Sequence, residues 1–184
     1  RAREVPAYAF QDFWSGKPAW NRWFYRLLSY LIAPLSACVF SNADCIGVYH
    51  DMRVVSTMKN TVQRLQEGAR VIIFPEHNVP YNNIVYEFQE HFVDVARLYH
   101  RRTGETVSFV PLYTAAALHK LVIGKPVAFD PDAPIGEERK RVCAYLASEI
   151  TFLACALPRH TVVPYPNIPK RQYPENTPSE VTNS

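Results

Sequence analysis

Apolar positions are unevenly spread along this chain. From Trp14 to Phe40 they form one apolar-aromatic stretch: Trp14, Trp20, Trp23, Phe24 and Tyr25, then Leu27-Leu28-Ser29-Tyr30-Leu31-Ile32, with Arg22, Arg26 and Pro34 set into it. After it, short apolar runs alternate with amphipathic segments. Ile46 to Tyr49 reads as a strand. Met58, Val62 and Leu65 recur at helical spacing, which predicts a helix over Ser56 to Glu67 with Gly68 as its stop. Val71 to Phe74 is wholly apolar, as strands buried on both faces of a parallel sheet are. Pro75 to Asn83 holds two prolines and three asparagines and reads as a loop. Val85, Phe88, Phe92, Val95 and Leu98 predict a second helix, ended near Gly104. Val107 to Val110 is the next strand, closed by Pro111. Leu112 to Ile123 reads as one or two strands turning near His119-Lys120, and Gly124-Lys125-Pro126 leads into Val127 to Phe129. Glu137 to Leu157 is a long helix with Val142, Leu146, Ile150 and Leu153 on one face.

Strand, helix, strand, helix, strand is the α/β pattern. It predicts a three-layer sandwich, a central mixed sheet flanked by helices, over residues 1–170. Prolines at 158, 164, 166, 169, 174 and 178 predict an extended C-terminal tail, frayed over residues 171–184. A length of 184 residues fits one domain with a real core. Trp23 to Phe40 is short of the roughly 20 apolar residues of a spanning helix and carries Arg26 and Pro34. It fits either a buried helix pair or an interfacial helix with aromatics at headgroup level and arginines on lipid phosphate.

The net charge of +3 comes without a basic stripe, and the aromatics sit in apolar runs, so nucleic acid is not an expected partner. Cys38, Cys45, Cys143 and Cys155 have no metal-finger spacing and read as buried, reduced thiols of a cytosolic protein. His77, His91, His100, His119 and His160 make no metal pattern, and no Gly-x-Ser-x-Gly elbow occurs. No metal and no cofactor is expected. The residues that remain stand at predicted strand ends. Glu76 follows an apolar run and a proline, which fits either a carboxylate held in a cleft or a solvated loop carboxylate. His50, Asp51 and Arg53 follow Gly47-Val48-Tyr49; they fit either a cationic pair for a phosphate or an Asp51–Arg53 surface pair.

Taken in order, these segments resemble the glycerolipid acyltransferase family, the lysophosphatidic acid acyltransferases and their relatives. The family's Phe-Pro-Glu-Gly block after an apolar strand is matched by Val71-Ile72-Ile73-Phe74-Pro75-Glu76, with Gly68 and its helix before it. The block of an apolar strand ending in Pro is matched by Phe109-Val110-Pro111, and Ile123-Gly124-Lys125-Pro126 looks like the strand and glycine beyond it. Phe88 to Leu98 resembles the helix between these two blocks. The likeness spans Ile46 to Phe129. Three departures stand out. No His-x-x-x-x-Asp occurs in the chain; in the family this block comes first and would lie before Arg1, so the chain reads as a fragment, inactive alone. The arginine that ends the family's second block falls at His50, with Arg53 three residues on. Phe-Pro-Glu is followed by His77 in place of glycine.

The resemblance implies transfer of a fatty acyl group from a thioester, acyl-CoA or acyl carrier protein, to a lysophospholipid or glycerol-phosphate acceptor. In the family the block-one His is the general base on the glycerol hydroxyl and the Asp orients it. For this chain it implies an acceptor site made of His50, Arg53, Pro75, Glu76 and His77, on a peripheral protein at the cytoplasmic face of a membrane. Two rivals stay open: a non-catalytic lipid-binding member of the same fold, and an unrelated α/β enzyme acting on a phosphorylated small molecule.

Overall fold

The computed structural model describes residues 54–166 and 168–179, with scattered positions between 23 and 47. The chain divides into two compact units, residues 1–57 and 58–184. In the first, the described positions from Trp23 to Asn42 are helical, and Trp23 and Phe24 meet edge to face with ring centres 6.1 Å apart. Trp23 is 68% exposed and Tyr30 69% exposed, and Phe24, Leu27 and Leu35 are exposed as well. Helix α1 (Val54–Gln66) begins in this unit and ends in the second, in the place its periodicity predicts. Gly68 follows in the left-handed region, φ 82°, which is open to glycine without steric cost.

The second unit is of the α/β class, built from helices and small antiparallel sheets. Strands β1 (Glu76–Tyr81) and β2 (Tyr86–Phe88) pair, then a 3-10 turn (Glu90–Val93) opens helix α2 (Asp94–Thr103). Strand β3 (Ser108–Phe109) pairs with β6 (Val127–Ala128), and β4 (Leu112–Ala115) with β5 (Lys120–Ile123). Helix α3 (Ile135–Cys155) closes the order. All three pairings are antiparallel and two-stranded, so the mixed central sheet expected from the sequence is not among the described pairings.

Several local expectations are corrected. Val71 to Phe74 is not a strand: it has no regular structure and Phe74 is 84% exposed. An apolar run becomes a strand only where a neighbour accepts its backbone bonds, and the first ladder partner here arrives at Glu76, opposite Phe88. The expected loop from Pro75 to Asn83 is therefore largely β1. Its turn is made by Asn82, whose Oδ1 accepts the amides of Ile84 (3.1 Å) and Val85 (2.8 Å), and by Asn83 at φ 70°. The expected helix over 85–98 is a strand, a 3-10 turn and a shorter α-helix, because Val85 and Phe88 are drawn into the core from the hairpin. Cys38, Cys45 and Cys155 are exposed; only Cys143 is half-buried.

Two apolar clusters run along α3. Val142 and Leu146 join Val85, Phe88, Val93, Ala96, Val127 and Phe129; Ala154 joins Ile84, Tyr113, Ala115 and Val162; Ile150 packs against both. In the first turn of α3, buried Glu138 fixes the preceding loop: its Oε1 accepts the Asp130 amide at 2.8 Å and both its oxygens accept from Arg141. The Arg141 bonds hold its carboxyl below the ordinary 4.5. At the far end the described part of the tail, up to residue 179, is packed. Thr161 bridges Glu175, and buried Asn176 donates from Nδ2 to the carbonyls of Ala154 (2.9 Å) and Leu157 (3.2 Å), at the end of α3 and just beyond it.

Candidate functional site

Glu76 is set by the chain on both sides of it. Pro75 restricts the backbone, its carbonyl accepts the Gln89 amide at 2.8 Å, and Glu76 itself lies opposite Phe88 in the ladder. The carboxylate is half-buried, and its Oε2 accepts the backbone amide of Tyr86 at 3.2 Å. Burial raises its pKa above the ordinary 4.5, and the Tyr86 amide opposes that rise. The Tyr86 phenol is raised in turn, by desolvation first and then by the charge of Glu76. Among the described residues no side chain pairs with this carboxylate, so Oε1 is open to a donor. Such a group accepts a hydroxyl strongly, because it has given up part of its water.

His77 follows on β1 with an exposed side chain, beside Glu76 in sequence and on the alternate face of the strand. Pro75 and Glu76 are thus together by construction. His50, Asp51 and Arg53 lie outside the described residues. The part of the site that sequence reasoning missed is Tyr86. Its signal was the Asn82-Asn83 pair between two short runs, which marks a hairpin and so carries a second strand to Glu76.

Asp94 takes a two-pronged bond from Arg139 (2.8 and 2.6 Å), and His91 lies 3.6 Å from the same carboxylate. Among the described residues no three His, Cys, Asp or Glu are placed to hold a metal ion. No helix among them is long and apolar enough to cross a membrane. No family model, curated protein or solved structure matches the chain.

Proposed function

We propose that this protein is a glycerolipid-type acyltransferase, moving a fatty acyl group from an acyl-CoA or acyl carrier protein thioester to a lysophospholipid or glycerol-phosphate acceptor. The observation that carries the reading is Glu76, a half-buried carboxyl with an open oxygen directly after Phe74-Pro75. Its task is to accept a hydroxyl of the acceptor's glycerol. Arg53, with His50, is assigned to the acceptor phosphate, for which a guanidinium supplies a fork of donors. In the reaction the acceptor hydroxyl attacks the thioester carbonyl, its proton passes to a base, and the thiol leaves. The 184 residues hold no His-x-x-x-x-Asp, so the base is not among the groups assigned.

The same reading carries the three-layer sandwich with a mixed central sheet. It also places the protein peripherally on the cytoplasmic face of a membrane. Support for that comes from the exposed aromatics Trp23, Phe24 and Tyr30, in a stretch from Phe13 to Ala43 that has Lys17, Arg22 and Arg26 and no carboxylate.

A non-catalytic lipid-binding protein of the same fold is the second reading, which needs a bound lipid and no general base. One assay separates them: labelled acyl transfer from acyl-CoA to lysophosphatidic acid by the full-length protein and by Glu76→Gln and Arg53→Ala. The expected result is transfer by the parent and a loss of roughly tenfold to a hundredfold in each variant, the scale of one hydrogen bond to a charged group. Transfer unchanged in both variants removes the site assignment. Lysolipid binding with no transfer by the parent supports the second reading.

A further inference from the structure

Beyond α3 the chain turns back on itself and returns to the hairpin that carries Glu76. The Val162 amide bonds the Pro174 carbonyl (2.9 Å), the Asn176 amide bonds the His160 carbonyl (3.1 Å), and Arg159 Nε donates to Glu175 at 2.7 Å. The loop between these pairings is thus closed at its base, as in the compact surface loops that often serve a site. Two parts of this tail touch the hairpin. At the β1–β2 turn, Asn83 Nδ2 donates to the Thr177 carbonyl and the Ser179 amide to the Asn82 carbonyl, each at 3.3 Å. Within the loop, Tyr165 meets Tyr86 with ring centres 6.3 Å apart and planes at 61°, the edge-on geometry that aromatic pairs favour.

Tyr165 is not a core residue: it is 55% exposed and belongs to neither apolar cluster. Its backbone is held all the same. Pro164 before it is buried, and Pro166 after it narrows the conformations open to Tyr165 itself. The residue this ring rests on is Tyr86, whose amide holds Oε2 of Glu76 at 3.2 Å. Among the described residues that amide is the one bond the carboxylate makes, so a shift of Tyr86 is felt at its other oxygen. We propose that Tyr165 is a positioning residue of the Glu76 site: by seating the Tyr86 ring it steadies the amide on Oε2, and with it the direction in which Oε1 is offered to the acceptor hydroxyl. The inference rests on the reading above for the ligand of Glu76; the seating of Tyr86 does not depend on it.

The test is amide hydrogen exchange read residue by residue in the full-length protein, beside acyl transfer from acyl-CoA to lysophosphatidic acid. Tyr165→Ala speeds exchange of the Tyr86 amide and lowers kcat/KM for the lysolipid, each by roughly threefold to tenfold, the scale of one edge-on aromatic pair. KM for acyl-CoA stays as it was, and the Val162 amide at the base of the loop keeps its rate. Tyr165→Phe retains the ring and restores both readouts. Val163→Ala, also at an exposed position of the loop, changes neither. A Tyr86 amide that exchanges at the same rate in Tyr165→Ala overturns the proposal. So does a rise shared by the Tyr86 and Val162 amides, which is general loosening, and so does a Tyr165→Phe variant as impaired as the alanine one. Transfer lost in Glu76→Gln with no response of Tyr86 to Tyr165→Ala defeats this inference alone; no transfer by the parent with that response kept defeats the proposed function alone.

Discussion

The hydroxyl of Tyr113 stands 2.7 Å from Nε2 of His160, and both side chains are buried. The other ring nitrogen, Nδ1, faces the Pro158 carbonyl at 2.7 Å, an oxygen that can only accept. Nδ1 therefore carries the proton, and in the neutral ring Nε2 accepts from the tyrosine. Burial raises the Tyr113 phenol, with the nearby Cys155 adding to it, so the hydroxyl stays protonated and able to donate. Tyr113→Phe leaves Nε2 without its donor inside the core. It should cost about 1–3 kcal/mol in urea denaturation and speed amide exchange around Val162, whose own amide bonds Pro174.

Glu76 gives a pH dependence whose sign is fixed by its burial. Unfolded, the carboxyl titrates near 4.5; folded, it titrates higher. Between the two values the native chain holds more protons, so this contribution to stability is complete below 4.5 and falls as pH rises through the folded value. Glu76→Gln should therefore melt higher than wild type at neutral pH and converge with it in acid. Melts from about pH 4 to about pH 8 check this. A variant that is more stable yet transfers less acyl group would mark Glu76 as a functional carboxyl.

Gly124 and Gly136 should respond to alanine in opposite directions. A Cβ at 124 would meet Pro111 Cγ at 2.8 Å, and Glu149 Cγ and Leu153 Cδ1 at 3.0 Å, where β5 comes down on α3. At 136, in the first turn of α3, a Cβ meets nothing within 4 Å. Gly124→Ala should lose about 1–3 kcal/mol by overpacking, and Gly136→Ala should gain roughly 0.5–1 kcal/mol from backbone entropy. Denaturant midpoints read both.

The four thiols should alkylate in two classes. Cys143 is half-buried and its pKa is pushed up to about 12 from an ordinary 9.0, by desolvation first and then by Glu90 and Glu87. That is about a thousandfold less thiolate. Iodoacetamide under native conditions should label Cys38, Cys45 and Cys155 first, and peptide mass spectrometry should find Cys143 last.

Legibility in the sequence followed the range of the interaction. Helices α1 and α3 were readable because a 3.6-residue stripe is local, and the stops at Gly68 and Gly104 need only a left-handed backbone. The β4–β5 turn at His119, φ 51°, was readable between two apolar runs. Val71 to Phe74 was not, since its composition cannot say whether a neighbour is there to bond it. The spacing of Val85, Phe88 and Phe92 fitted a helix as well as the strand and 3-10 turn that form. In the site, Glu76 was visible from Phe74-Pro75, but its hold on the Tyr86 amide depends on a ladder. Asn176, His160 and Tyr113 gave no signal at all, because each finds its partner far along the chain.

Asn176 bonds the carbonyl of Ala154 across 22 positions. On the ribosome α3 thus emerges before its side-chain strap: the Ala154 carbonyl takes the Leu157 amide at 3.2 Å from the start, and the asparagine adds a second donor only once it has been synthesised and released from the exit tunnel. A stop codon between the two would remove that second bond, a predicted loss of about 1 kcal/mol at the helix end.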